Sequence, residues 1–197
     1  MKDNFDLNFT VDPSHDCVKF VKSANQKSFT QHSYGDVILR SNFCPSLISI
    51  LFNTNNINSA VSSIEKFVKK AKDPSKIQFC IKIDNEKDFV KTFLKNIERF
   101  KCNFIILSSP KGRGYIDLWQ WINFLYKVSS RKSEFFLNIS DEMHVHEKNW
   151  DKILEKYINF KPDGIFRLRT SVYKNRNYNT LFECGYAPDT TAIYSKE

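Results

Sequence analysis

Asp141 and Glu142 stand side by side in "FFLNISDEMHVHEKNW" (residues 135–150), and His144 and His146 follow at alternate positions. The run before them, FFLNI, has the character of a buried strand. Carboxylates at the mouth of such a strand are costly to hold there unless something neutralises them. Three roles fit two adjacent acids with imidazoles close by: ligation of a hard divalent cation, proton transfer, or only the solvation of a loop. The two histidines alternate and so share a side of an extended segment, for which a surface pair is the plain account.

Other polar groups recur at equivalent places along the chain. "SLISILF" runs into Asn53, Thr54, Asn55 and Asn56; "KIQFCIKI" into Asp84, Asn85 and Glu86; "CNFIILSS" into the Lys111–Tyr115 turn "KGRGY". Asp84 either meets a ligand or caps the helix that starts near Asp88. Gly112 and Gly114 allow a close backbone approach, and Arg113 between them suits a phosphate. The spacing is neither that of a dinucleotide fingerprint nor that of a P-loop. Trp119 and Trp121 fit helix packing better than a stacking platform.

The segments that bring these residues together alternate regularly from residue 46 onward. Short runs rich in β-branched and aromatic residues (SLISILF, KIQFCIKI, CNFIILSS, EFFLNI) predict four strands. Between and after them, "INSAVSSIEKFVKKAK", "EKDFVKTFLKNIERF", "IDLWQWINFLYKVSS" and "EKNWDKILEKYINF" predict four helices. The first carries Ile57, Val61, Ile64 and Val68 on one face; the second carries Phe89, Phe93, Leu94 and Ile97. "GIFRLR" and "TAIYS" read as two later strands. Strand and helix in alternation imply right-handed crossovers, hence an α/β fold with a mainly parallel sheet flanked by helices. In such sheets ligands bind outside the carboxyl ends of the strands, near the point where strand order reverses. The polar exits then form one edge. Residues 1–45 break the rhythm and are expected to form an N-terminal appendage, with "DVILR" as an added edge strand; residues 46–197 form the main domain.

A chain of 197 residues suits one domain with a full core. Its net charge of +8 is compatible with an anionic ligand or peripheral contact with a membrane surface. No Lys/Arg stripe interleaves with exposed aromatics, so nucleic acid is not expected as a partner. Five scattered cysteines without metal-ligand spacing argue against a disulfide framework or a zinc site. The polar opening "MKDNFDLNFTVDP" lacks a secretory leader's character, and no apolar run approaches the ~18 residues of a membrane span. A cytoplasmic location is the expectation.

In order and spacing, "SLISILFNTNN", "IKIDNEKD", "SSPKGRGYIDLWQWINFLY" and "FFLNISDEMHVHEKNWDKIL" resemble the nucleotide-binding half of GT-A glycosyltransferases, family 2-like ones above all. The resemblance covers about residues 46–170. Its most specific part is the acid pair followed by a Trp-Asp pair in "SDEMHVHEKNWD". It implies the GT-A, Rossmann-like nucleotide-diphospho-sugar transferase fold. It also implies that Thr54, Asn55 and Asp84 hold the base and ribose of a nucleotide sugar, with Gly112, Arg113, Gly114 and Tyr115 beside nucleotide and sugar. Asp141 and Glu142 would stand in the place of the family's metal motif, Asp141 also touching the ribose, with Mn2+ or Mg2+ bridging the diphosphate. The pair here is Ser-Asp-Glu rather than Asp-x-Asp.

The resemblance implies a metal-dependent enzyme that moves a sugar from a nucleotide-diphosphate sugar to a glycan or lipid-linked acceptor. An inverting member needs a carboxylate base for the acceptor hydroxyl. No catalytic residue is identified from the sequence, Glu183 and Asp189 being the late acids in view. The alternative is a non-catalytic module of the same fold that binds a nucleotide sugar or a protein partner.

Overall fold

The structure is a computed structural model. It describes residues 7–12, 17–23, 36–39, 47–84, 86–109, 115–141 and 143–159, and the strands 165–167, 170–172, 182–184 and 192–195. Three strands come first: β1 (Leu7–Asp12), β2 (Cys17–Ser23) and β3 (Asp36–Leu39). The α/β alternation follows as β4 (Ile48–Thr54), α1 (Ile57–Lys70), a short 3-10 turn at Pro74–Lys76, β5 (Ile77–Asp84), α2 (Lys87–Ile97), β6 (Asn103–Ser109), α3 (Tyr115–Val128) and β7 (Phe135–Asn138). Beyond it lie β8 (His144–Val145), α4 (Trp150–Glu155), β9 (Ile165–Arg167), β10 (Thr170–Val172), β11 (Phe182–Cys184) and β12 (Ala192–Ser195).

The main sheet has the order β3-β6-β5-β4-β7-β12-β9. Its centre, β6-β5-β4-β7, is parallel throughout, with Ile48 opposite Ile77 and Phe135, and Gln78 opposite Asn103. All of β5 and nearly all of β4 are buried, as strands covered by helices on both faces must be. β3 joins the edge antiparallel to β6, as "DVILR" leads one to expect, and β12 runs antiparallel to β7 and β9. β1 and β2 form a separate hairpin, and β10-β11-β8 a second small sheet.

Side chains alternate across the central strands. On one face Ile50, Phe52, Phe79, Ile81, Ile106 and Leu137 meet Ile64 and Phe67 of α1, Phe93 and Ile97 of α2, and Trp150 and Leu154 of α4. On the other, Leu51, Cys80, Ile105, Leu107 and Phe136 meet Trp121, Phe124, Leu125 and Val128 of α3. Trp121 is thus a core residue, whereas the side chain of Trp119 lies outside the described residues.

The last predicted helix is much shorter than its sequence pattern. Asn149 takes φ 56°, which delays the start to Trp150, and three-residue hydrogen bonds at Lys156, Tyr157 and Ile158 tighten the chain after Glu155. Among the described residues, no helix is long and apolar enough to cross a membrane.

Candidate functional site

After β4 the chain steps outward through β5 and β6, then returns to the opposite side of β4 as β7. Strand order therefore reverses between β4 and β7, and the ends of these two strands carry Thr54 and the acid turn. Thr54 is 5% exposed. Its hydroxyl donates to Asp141 Oδ2 at 2.6 Å and accepts from the Asn56 N–H at 3.0 Å. Asn56 in turn caps α1 by accepting from the Ser59 N–H. Asn55 is exposed beside them.

Asp141 sits in a turn closed by the Met143 N–H on the Ser140 carbonyl, while the Ile139 N–H bonds the Leu51 carbonyl of β4. Burial lifts the Asp141 carboxyl above its ordinary value of 3.8, and the Thr54 hydroxyl and a backbone N–H pull it partway back. Among the described residues no cation pairs with this carboxylate. A half-shielded oxygen donor with that deficit fits a hard divalent ion. Glu142 lies outside the described residues, and among them no group of three or more His, Cys, Asp or Glu forms a metal cluster.

The segment that follows is fastened to α1 along its length. Ser63 Oγ donates to the Met143 carbonyl at 2.6 Å, Lys70 Nζ to the His146 carbonyl at 2.6 Å, and the Asn149 N–H to the Lys70 carbonyl at 2.6 Å. Trp150 Nε1 donates to the Phe67 carbonyl at 2.9 Å, its ring edge-on to Phe67. Buried Asp151 accepts the Lys72 and Asp73 N–H groups at 2.8 and 2.9 Å, where the chain leaves α1. The Trp-Asp pair is thus a fastener for α4, with both side chains turned away from the strand ends. His144 lies in β8 and His146 just past it, both half-buried, so they are not a bare surface pair. β11 pairs antiparallel with β8 and sets Glu183 in register opposite His144, whereas Asp189 lies outside the described residues.

Asp84 is the last residue of a strand rather than a loop acid. It ends β5 almost fully buried and accepts from Lys82 Nζ, itself 5.5 Å from the centroid of the Trp121 ring. Its capping role is ruled out, because Glu86 occupies the N-cap of α2, without a side-chain cap bond. By strand alternation, Asp84 and Lys82 belong to the α3 side and Thr54 to the opposite side. The structure therefore joins Thr54 to Asp141 but sets Asp84 apart. Asn53, absent from the expected binding set, lies opposite Lys82. Its Oδ1 and Nδ2 are both shielded from solvent with no hydrogen-bond partner among the described residues. Its place at the exit of the first parallel strand was the available signal. Gly112, Arg113 and Gly114 lie outside the described residues; Tyr115 opens α3, but its side chain is not described.

A 3-2-1-4 parallel centre with an antiparallel strand beyond it, and an acid turn at the reversal, define a class: the fold is that of the GT-A glycosyltransferases. S. aureus TarS 1–349 matches with a TM-score of 0.56 at 14% identity, over 75% of this chain and 46% of that one. The same protein in complex with UDP gives 0.52, with the same identity and coverage. The mannosyltransferase PcManGT from Pyrobaculum calidifontis, in complex with GDP-Man and Mn2+, gives 0.49 at 10% identity, over 70% of this chain and 39% of that one. The chain thus spans less than half the length of these structures. No family model and no curated protein matches the sequence.

Proposed function

We propose that this chain binds a nucleotide-diphosphate sugar across the carboxyl ends of β4, β5 and β7 and serves a metal-dependent glycosyltransferase. The acceptor is a glycan or lipid-linked hydroxyl. The observation that carries the reading is the Thr54–Asp141 hydrogen bond across the reversal of strand order, within a GT-A fold. In this reading Asp141 and Glu142 hold Mn2+ or Mg2+, which neutralises the leaving diphosphate. Thr54 fixes the Asp141 carboxylate, and Asn55 flanks the ribose. Asp84, held by Lys82, and the amide of Asn53 face the base, and Gly112, Arg113, Gly114 and Tyr115 serve beside nucleotide and sugar. Residues 46–197 form the transferase domain, and residues 1–45 an appendage that contributes β3 to the sheet. We place the protein in the cytoplasm, with peripheral contact at a membrane where the acceptor is lipid-linked.

The test is thermal shift against UDP-, GDP-, CMP- and dTDP-sugars with and without Mn2+, since ligand that binds only the folded chain raises its stability by mass action. The UDP-sugars are the first choice, because S. aureus TarS 1–349 has been solved with UDP. Mn2+-dependent stabilisation by one donor, with slow release of its nucleoside diphosphate that is lost in Glu142→Gln, supports the proposal. Donor binding with no turnover transfers the assignment to a non-catalytic module. No stabilisation by any donor overturns it.

A further inference from the structure

Ser63 is a polar residue on the otherwise apolar inner face of α1, between Ala60, Val61, Ile64 and Phe67, and has no exposed surface. Alanine is the better helix former, and a hydroxyl in apolar packing is unfavourable unless it is bonded. Serines within helices commonly return the hydroxyl to their own helix one turn back. This one donates instead to the Met143 carbonyl, 80 residues away. Met143 is the residue whose N–H closes the turn on Ser140, with Asp141 just inside it. The other arm of the turn is tied to β4 through Ile139 and Leu51. Asp141 is therefore suspended between a strand and a helix, and Ser63 is a helix-side tie two residues from it.

We propose that Ser63 is a positioning residue for Asp141: through Met143 it holds the acid turn at the height where the carboxylate meets Thr54 and a metal. The inference rests on the reading of Asp141 as a metal-holding residue. Groups that orient metal ligands typically change metal affinity by ~10–100-fold when they are removed. Misplacement of a reacting group by about 1 Å can cost a comparable ~100-fold in rate.

The full chain is compared with Ser63→Ala and Ser63→Cys, the cysteine keeping the volume but donating only weakly. Three quantities are measured: Mn2+ affinity of the UDP-loaded chain by electron paramagnetic resonance, UDP affinity in EDTA, and amide hydrogen exchange at Asp141 and Met143. Both variants should hold Mn2+ ~10-fold or more weakly, with metal-free UDP affinity within ~2-fold of the parent and faster exchange in the turn. Unchanged Mn2+ affinity in the folded cysteine variant overturns the positioning role and leaves the proposed function standing. Parallel loss of Mn2+ and metal-free UDP affinity assigns Ser63 to general stability and overturns it equally. A parent chain that binds UDP no better with Mn2+ than without removes the metal reading itself, and this inference with it.

Discussion

The Thr54–Asp141 contact makes opposite predictions for its two partners. Thr54→Val keeps the shape of the side chain but removes the donor to Asp141 Oδ2 and the acceptor for the Asn56 N–H. A hydrogen bond to a charged group contributes roughly 1.5–3 kcal/mol, and the exposed Asn56 N–H can turn to water, so a loss of about 2 kcal/mol is expected. For a chain of this size that lowers Tm by ~4–8 °C. Asp141→Asn keeps an oxygen for Thr54 and removes the charge that burial disfavours. Its stability at neutral pH should equal or exceed the parent's, although Mn2+-dependent nucleotide binding is lost.

The pH dependence follows from the same contact. Because burial raises the Asp141 carboxyl in the folded chain, the native state binds more protons than the unfolded one between 3.8 and the raised value. Its contribution to stability is therefore full below that window and lost as pH rises through it. Asp141→Asn should flatten this part of the curve, and Thr54→Val should steepen it by removing a bond that favours the ionised form. Urea unfolding of the parent, both single variants and the double variant at about pH 4 and pH 7 reads the whole cycle. Coupling of about 1 kcal/mol is expected, since in the Asp141→Asn background Thr54 loses only a neutral bond. Additivity within ~0.5 kcal/mol, or an Asp141→Asn chain as unstable as Thr54→Val, would refute the reasoning.

Lys82→Met leaves Asp84 buried without its partner and should destabilise the fold by ~3–5 kcal/mol in urea unfolding, with most of that recovered in Lys82→Met/Asp84→Asn; a mild single variant would show that the pair is solvated. Asp151→Ala strips two backbone N–H groups of their shared acceptor and should cost ~2–4 kcal/mol by the same assay, with Mn2+-dependent UDP affinity in the folded fraction held within ~3-fold. Asn53→Leu should raise Tm, because it removes two shielded groups with no partner among the described residues, while nucleotide affinity by calorimetry falls ~10-fold; a fall in Tm would mean that the amide is satisfied in the free protein.

The parallel sheet was legible because a strand covered on both faces has little choice but β-branched and aromatic residues, as ISILF, IQFCI and FIIL illustrate. Helices α1 and α2 were legible from apolar spacing, whereas the start of α4 was not, since the left-handed turn at Asn149 leaves no periodic trace. The acid turn could be placed at the strand ends from the sequence alone, because every strand exit is visible as a change from apolar to polar. Its bond to Thr54 could not, because 87 residues separate the partners and only the return of the chain to the far side of β4 brings them together. The Lys82–Asp84 pair was half visible: two opposite charges at alternate positions in a strand otherwise without charge share a face and need each other. Trp150 and Asp151 read in the sequence as the tail of a functional motif, and here physics separates them from it. A buried indole N–H and a buried carboxylate each need partners, and these find theirs in the backbone around the end of α1.

Helix α1 therefore links two roles that the sequence presents as separate. Its N-terminus begins at the Asn56 cap, two residues from Thr54, and its inner face seals one side of the sheet. Farther along, Ser63, Phe67 and Lys70 receive the segment that carries the acid turn away from β7. The Asp84–Lys82 pair answers to α3 instead, through Trp121. Under the proposed function, a nucleotide sugar lying across the strand ends touches residues packed on opposite faces of one sheet, its base toward the α3 side and its diphosphate toward α1. Substitutions under α1 should register in metal and diphosphate affinity, and substitutions under α3 in the choice of base. That division can be read from two columns of one binding table, one for Mn2+ and one for nucleotides differing only in the base.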